Sequence, residues 1–273
     1  MKKKWIIILS VIVIIPMLLI VWLIGGRGIR REWKLKKMLR DRYDEKFTVV
    51  REYCLYGGLE SWPNKRFVAT CAPVNNRDVV FEVDYWDNDI EDARILYFHG
   101  YVANQIEDIL QEDLEQFFPD CYVHCSSTGV RKPEEEGYVF NNKSLNEIIE
   151  DSPAYENEEY ANAFIYLYIN KDVGTLKKYE EEYEYFTKTI DEYVAENKMR
   201  EVSVNFYYVD SSFLEEVREY YKCHSEPKGE FWERMEECNN MFASFAKAVP
   251  AYIENEGGME EYIRRREEFE NNK

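Results

Sequence analysis

The longest apolar stretch of the chain, Trp5–Ile24, contains no charged residue. At about 1.5 Å per residue, a helix of this length covers about 30 Å, the hydrocarbon thickness of a bilayer. Trp5 and Trp22 lie near its two ends, where indole rings prefer the membrane interface, and Pro16 is tolerated inside a membrane helix. The pattern predicts a single-pass transmembrane helix over residues 5–24.

A cleaved secretory signal is the alternative interpretation, because Lys2, Lys3 and Lys4 form a basic N-terminus, residues 1–4, before the apolar stretch. The stretch is longer than the roughly 7 to 15 apolar residues of such signals, and no Ala-x-Ala cleavage pattern follows it. We therefore predict a retained signal-anchor in a bacterial cell membrane.

The pattern beyond the anchor changes from helical period to alternation. A basic stalk over residues 25–42 includes the start of a short predicted helix, Leu35–Tyr43. An apolar stripe predicts a second helix, Tyr101–Phe118. A three-stranded antiparallel meander lies between these helices and completes an α+β domain over residues 43–118. Its predicted strands are Phe47–Tyr56, Arg66–Pro73 and Val79–Tyr85.

Strand and helix patterns alternate over residues 119–273, which predicts a small α/β sandwich with C-terminal helices. The fold class is therefore α+β. The predicted strands are Cys121–Ser126, Ala163–Ile169 and Glu201–Val209. The predicted helices are Ser144–Ile149 with a Ser144 and Glu147 capping box, Val173–Asn197, one capped by Ser211 or Ser212, Pro227–Val249, and a final charged helix.

Charge is divided unevenly along the chain. Residues 1–42 hold eleven Lys or Arg against Glu32 and Asp41, a net charge of +9, and the whole chain carries -18, so the remainder carries -27. Such an acidic body repels phosphate backbones, and we predict no nucleic-acid partner. We expect the basic stalk to attract anionic headgroups, and the body to bind a protein, peptide or envelope polymer.

The side of the membrane is argued both ways. Three Lys precede the apolar stretch and six basic residues follow it within about 15 residues, which favours a cytoplasmic body. Against this, a short Lys cluster before the apolar run is typical of signal-anchors, and long domains translocate largely regardless of charge. We predict an extracytoplasmic body, with the cytoplasmic orientation as the alternative.

Four segments of the first half carry a resemblance to a known group. They are Tyr43–Val50, Ala72–Asn76, Val79–Tyr85 and the acidic stretch Asp87–Asp92. Together with the anchor, these segments resemble the YfjL-like uncharacterised single-pass bacterial membrane proteins over roughly residues 1–118. The resemblance implies an anchor and a fold, and it implies no activity.

An acidic stretch after the third predicted strand is a candidate Ca²⁺ site, because Ca²⁺ takes oxygen ligands from flexible loops. The EF-hand pattern fails, since its sixth position is Asp92 where Gly is required and its twelfth is Phe98 where Glu is required. We interpret the stretch as a solvated acidic turn, with a loose Ca²⁺ site as the minority hypothesis. The candidate ligands are Asp84, Asp87, Asp89, Glu91 and Asp92.

Six cysteines are too sparse for a disulfide scaffold in a chain of 273 residues, although their even number permits pairing. We interpret them as buried or half-buried free thiols. A disulfide such as Cys223 with Cys238 is one alternative, and a zinc site is another. The possible zinc ligands have unsuitable spacing and are Cys121, His124, Cys125, Cys223, His224 and Cys238.

Motifs of nucleophilic, phosphate-binding and metallopeptidase chemistry are absent from the sequence. Ser244-Phe245-Ala246-Lys247 spells S-x-x-K without its companion motifs, and we interpret it as helix chemistry. The first hypothesis is therefore a membrane-tethered acidic binding module with no cofactor. The alternatives are a divergent enzyme that uses carboxylates in a cleft, and an immunity-like or regulatory membrane protein that binds a basic partner.

Overall fold

The computed structural model describes residues 28–56, 65–116, 118–128, 130–133, 138–152, 161–170, 188, 199–237 and 239–246. The predicted anchor, with Trp5, Pro16 and Trp22, lies outside these residues, as do the predicted final helix and, apart from residue 188, the predicted helix Val173–Asn197. Within the described ranges, no helix is both long and apolar enough to cross a bilayer.

The chain divides into two compact units. Unit 1 comprises Met1–Asn75 and Val83–Arg94, and unit 2 comprises Asn76–Glu82 and Ile95–Lys273. The domain boundary proposed after residue 118 stays a prediction.

The first sheet is antiparallel and has four strands in the order β1-β2-β3-β4, one more than the predicted meander. The additional strand, β4, begins directly after the turn residues Asp87 and Asn88. Four acidic residues in and around this turn masked the strand pattern, yet Ile90 and Ala93 are buried on β4. The strands are β1 Phe47–Tyr56, β2 Arg66–Pro73, β3 Phe81–Trp86 and β4 Asp89–Ile95.

Helix α1 occupies residues 28–43 in unit 1, so it starts well before the predicted Leu35. Leu35 and Leu39 are both fully buried, one turn apart, as the apolar spacing predicts. On β3, buried Val83 and Tyr85 alternate with less buried residues, which is the pattern of a strand with one face in a core.

The second sheet belongs to unit 2 and has the order β5-β6-β7-β8. β5 pairs antiparallel with β6, β6 parallel with β7, and β7 antiparallel with β8. The helix predicted over Pro227–Val249 is wrong at its C-terminal end, because β8 pairs with β7 there, with Val204 opposite Ala243. Ser244 therefore lies on a strand, and the helical interpretation of S-x-x-K is also wrong. The strands are β5 Cys121–Ser127, β6 Ala161–Asn170, β7 Met199–Val209 and β8 Asn239–Ala246.

Four helices of unit 2 are described after α1. The capping box of Ser144 and Glu147 is confirmed on α3. The predicted Ser cap of α4 is wrong: Asp210 is the N-cap, and its carboxylate accepts from the Phe213 amide at 2.8 Å. The helices are α2 Tyr97–Glu115, α3 Leu145–Asp151, α4 Ser211–Tyr221 and α5 Glu230–Glu237.

Helix α2 begins at Tyr97, one turn before the predicted Tyr101, and so includes Gly100. A Cβ at Gly100 would lie 2.7 Å from the carbonyl oxygen of Val80 and 2.9 Å from Cβ of Phe81. Glycine therefore allows the first turn of α2 to approach the backbone of unit 2 closely.

Candidate functional site

A cleft of about 400 Å³ opens in unit 2 beside α2, β5 and α4. Its described lining includes six carboxylates and three basic side chains, together with the rings of Tyr122 and Tyr221. The carboxylates are Asp78, Glu107, Asp108, Glu115, Glu215 and Glu219, and the basic residues are Arg77, Arg218 and Lys222. This volume and this lining suit a small charged group.

One face of α2 supplies the polar wall of the cleft. Its lining residues recur every three or four positions, which places them on one side of a helix, next to the stripe of buried Ile106, Leu110 and Leu114. The helix thus packs through one stripe and presents polar groups along the next. The wall residues are Asn104, Glu107, Asp108, Gln111 and Glu115.

The same polar face covers the edge of the second sheet. β5 is an edge strand, so its outward amides need partners from outside the sheet. The side chain of Gln111 accepts from the Val123 amide at 2.8 Å and donates to the Cys121 carbonyl at 3.1 Å. Oε1 of Glu107 accepts from the Cys125 amide at 2.7 Å. These bonds fix α2, and hence the cleft wall, against β5.

Glu107 and His124 form a half-buried pair at the cleft. Nδ1 of His124 lies 2.8 Å from Oε1 of Glu107, and Nε2 lies 3.0 Å from the carbonyl oxygen of Ser225. The imidazole is buried and stacks on the Tyr221 ring at a centroid distance of 3.7 Å. Both ring nitrogens thus lie within hydrogen-bond distance of an oxygen, which fixes the ring orientation.

The second carboxylate oxygen of Glu107 is uncommitted. Both contacts of this carboxylate use Oε1, and Oε2 has no hydrogen-bond partner among the described residues. Oε2 is also not fully buried, since the single fully buried side-chain polar atom without a partner in the described ranges is Nε of Arg31. Glu107 is thus a cleft-lining side chain that is held by Oε1, while its Oε2 keeps some accessibility and has no partner among the described residues.

Asp108 and Asp78 add negative charge beside this oxygen. Partial burial, followed by the nearby carboxylates of Glu107 and Asp78, raises the pKa of Asp108. The closest polar contact of Asp108 is the Asn104 amide, at 3.4 Å. Burial is the larger cause of this rise, and the two neighbouring carboxylates add to it.

Two of the three basic lining residues are already paired. Arg218 contacts Asp120 at 2.7 Å and Glu215 at 2.6 Å, and Lys222 contacts Glu219 at 2.5 Å. The bonds from Arg218 and Asn170 lower the pKa of Asp120.

Tyrosines form the apolar support behind the cleft. The hydroxyl of Tyr168 donates to Sδ of Met235 at 3.1 Å, which makes Tyr221 the donor in the 2.8 Å contact between the two tyrosine hydroxyls. Burial raises the pKa of Tyr122, Tyr168 and Tyr221 well above the ordinary value. These hydroxyls therefore stay protonated at neutral pH, and those of Tyr168 and Tyr221 serve as donors.

The Ca²⁺ candidates lie on and beside the β3–β4 hairpin, where three of them have protein partners. Asp84 pairs with Arg66, Asp87 lies 3.8 Å from Nε of Arg31, and Asp89 accepts from the Asp92 amide at 3.3 Å. In the described part of the chain, no group of three or more His, Cys, Asp or Glu side chains could hold a metal ion.

The zinc candidates that the structure describes form no group of three that could hold a metal ion. Cys54, Cys71, Cys121, Cys125 and Cys223 are free thiols, and Cys238 lies outside the described residues. Burial raises the pKa of the Cys71 and Cys121 thiols to about 12, so both stay protonated at neutral pH. His124 uses its two nitrogens for Glu107 and Ser225.

Comparison with known proteins gives a likeness of fold. No family model matches the chain, and no curated protein matches it. The structure is similar to the crystal structure of a DUF5037 family protein from Ruminococcus gnavus ATCC 29149, with a TM-score of 0.64 and 17% identity over 86% of this chain and 98% of that chain. At this identity the similarity is one of fold, and function has to be argued from the site.

Proposed function

We propose that this protein is a membrane-tethered binding module that holds a cationic side chain of a basic partner in the cleft of unit 2. The observation that carries the proposal is Glu107, a cleft-lining carboxylate that is held through Oε1 and whose Oε2 has no partner among the described residues. A lysine or arginine head placed there gains charge-assisted hydrogen bonds without any need to reorganise the protein.

The charges around Glu107 support a cationic ligand. Asp78, Asp108 and Glu115 line the same cleft and are exposed, whereas Arg218 and Lys222 already have carboxylate partners. At longer range, residues 43–273 carry a net charge of -27, which attracts a basic partner and speeds its association.

The tether rests on the sequence. The uncharged segment Trp5–Ile24 has the length and the terminal tryptophans of a membrane-spanning helix. A tethered module needs only modest affinity for its partner, since confinement to a membrane raises the effective concentration of both.

Saturation-transfer NMR on the full chain in lipid nanodiscs tests the binding proposal with three small probes. The probes are the N-acetyl methylamides of lysine, arginine and norleucine, and norleucine has an apolar chain similar to that of lysine but no charge. We expect signals from the lysine and arginine probes, with dissociation constants on the order of 1 mM, and none from norleucine. Equal signals from all three probes, or from none, would contradict a cation site.

A second candidate is a carboxylate-based enzyme, and the raised pKa of Asp108 beside Glu107 and Asp78 favours it. A carboxyl group with a raised pKa can serve as a general acid while its neighbour stays ionised. Turnover of ester, amide or glycoside substrates that is lost in Asp108→Asn and kept in Glu91→Gln, a change on β4, would favour catalysis over binding.

A further inference from the structure

The inner face of α1 is fixed to unit 1, although the sequence places this helix in a basic stalk. Leu35 and Leu39 are fully buried. The Arg31 guanidinium contacts Glu52 at 2.9 Å and lies 4.0 Å above the centre of the Phe67 ring. The helix that follows the predicted anchor is therefore part of a folded unit, and it carries that unit with it.

The outer face of α1 combines apolar and basic side chains at its N-terminal half. Ile29 is 71% exposed and Trp33 is 63% exposed, the two highest values among the large hydrophobic side chains that the structure describes. They are one turn apart and thus neighbours on the helix surface. Arg30 and Lys34 are exposed around them, and the exposed Lys37 contacts Asp41 at 2.6 Å.

A bilayer surface fits this face in both chemistry and position. Tryptophan prefers the interface between headgroups and acyl chains, and basic side chains attract anionic headgroups. The predicted membrane segment ends at Ile24, five positions before Ile29. A chain that leaves the bilayer there has its next exposed apolar residues within reach of the headgroups.

We propose that the face formed by Ile29, Arg30, Trp33 and Lys34 lies on the bilayer surface and binds anionic lipid headgroups. The proposal rests on the membrane tether of the proposed function and is independent of the cleft. Unit 1 is then held in one orientation on the membrane by α1, because the inner face of the same helix is buried in the unit.

Photo-crosslinking in nanodiscs tests this contact on the full chain. p-Benzoylphenylalanine replaces Trp33 in one variant and Val74 in the control. Val74 is 43% exposed, and its amide donates to the carbonyl oxygen of Lys46, which lies beyond the C-terminal end of α1. We expect several-fold more lipid adduct at position 33 than at position 74. The yield of lipid adduct at position 33 should be higher in nanodiscs that contain phosphatidylglycerol than in nanodiscs of phosphatidylcholine alone. Lys34→Gln should reduce this difference in yield, whereas Arg94→Gln, an exposed change on β4, should leave it unchanged.

The outcomes separate the two proposals. A chain that does not co-purify with nanodiscs overturns the tether and this inference together. A chain that co-purifies but gives no lipid adduct at position 33, or gives crosslinks to a second copy or to another protein there, overturns only the headgroup contact. Equal adducts at positions 33 and 74 would also overturn it, because the contact would then not be specific to this face.

Discussion

Each unit contains a half-buried glutamate beside a basic side chain, and the two glutamates differ in how their oxygens are bonded. In unit 1, both oxygens of Glu52 are engaged, one by Arg31 at 2.9 Å and the other by the Tyr85 hydroxyl. In unit 2, both contacts of Glu107 use a single oxygen. Their side chains are similarly exposed, 20% for Glu52 and 18% for Glu107, so burial does not distinguish them.

A structural carboxylate thus differs from one that can bind a ligand in whether both of its oxygens already have hydrogen-bond partners. A carboxylate with partners on both oxygens has no free acceptor for a ligand, and its removal leaves those partners without a hydrogen-bond acceptor. A carboxylate held by one oxygen is oriented by the fold but keeps acceptor capacity.

The largest expected effect is on stability in unit 1. Glu52→Gln removes the carboxylate that lies 2.9 Å from the half-buried Arg31, leaves it only the more distant Asp87, and should lower the free energy of unfolding by about 2 kcal/mol. Glu107→Gln should cost about 1 kcal/mol or less, because an amide oxygen can still accept from the Cys125 amide. Denaturant unfolding followed by circular dichroism measures both, with the exposed Glu91→Gln as the control. Equal costs for the two variants would remove the distinction drawn between them.

Asp120 should behave like Glu52, since Arg218 and Asn170 each hold one of its oxygens. Its backbone is left-handed, with φ 61°, so Asp120→Ala should add about 1 to 2 kcal/mol of strain. Asp120→Asn tolerates this conformation and loses the charge together with one of the two acceptor oxygens. Because folding lowers the pKa of Asp120, its charge stabilises the fold above the ordinary pKa. This contribution is lost as the pH falls through the folded value.

The cost of Asp120→Asn should therefore be present at neutral pH and disappear in acid. Unfolding measured along a pH series checks this, and a cost that is independent of pH would show that the charge contributes nothing.

Asp108 should behave in the opposite way, and its effect is the smallest. Its pKa is raised on folding, so its ionisation opposes folding as the pH rises through the ordinary value towards the folded value. Asp108→Asn should stabilise the protein at neutral pH, by at most about 0.5 kcal/mol because the side chain is exposed and screened. The gain should shrink in acid and at high salt. A loss of stability at neutral pH would place Asp108 with the structural carboxylates.

The sequence predicts local structure well where residues close together in the chain are sufficient to form that structure. The capping box at Ser144 follows from two residues three positions apart, and the strand Phe47–Tyr56 follows from its β-branched and aromatic content. The sequence predicts helix over β8 because no Gly or Pro separates this segment from the helix before it, and the segment becomes a strand by pairing with β7. The acidic residues around β4 concealed a strand with only two buried positions.

The candidate site depends on contacts that are remote in sequence. Glu107 is one of many acidic residues, and its importance arises from the Cys125 amide and from His124, which α2 meets only in the folded unit. A signal was present in His124, a histidine within a strand between apolar neighbours, which requires partners for both ring nitrogens. The sequence could identify that need, but the identity of its partners, Glu107 and Ser225, required the structure.

The most direct test of the central claim is the affinity of the lysine probe for the wild type, Glu107→Gln and Glu52→Gln, measured by saturation-transfer titration at a temperature where all three are folded. We expect Glu107→Gln to weaken binding about tenfold and Glu52→Gln to leave it unchanged. Unchanged affinity in Glu107→Gln, or an equal loss in both variants, would contradict the claim that the free oxygen of Glu107 is the ligand-binding group.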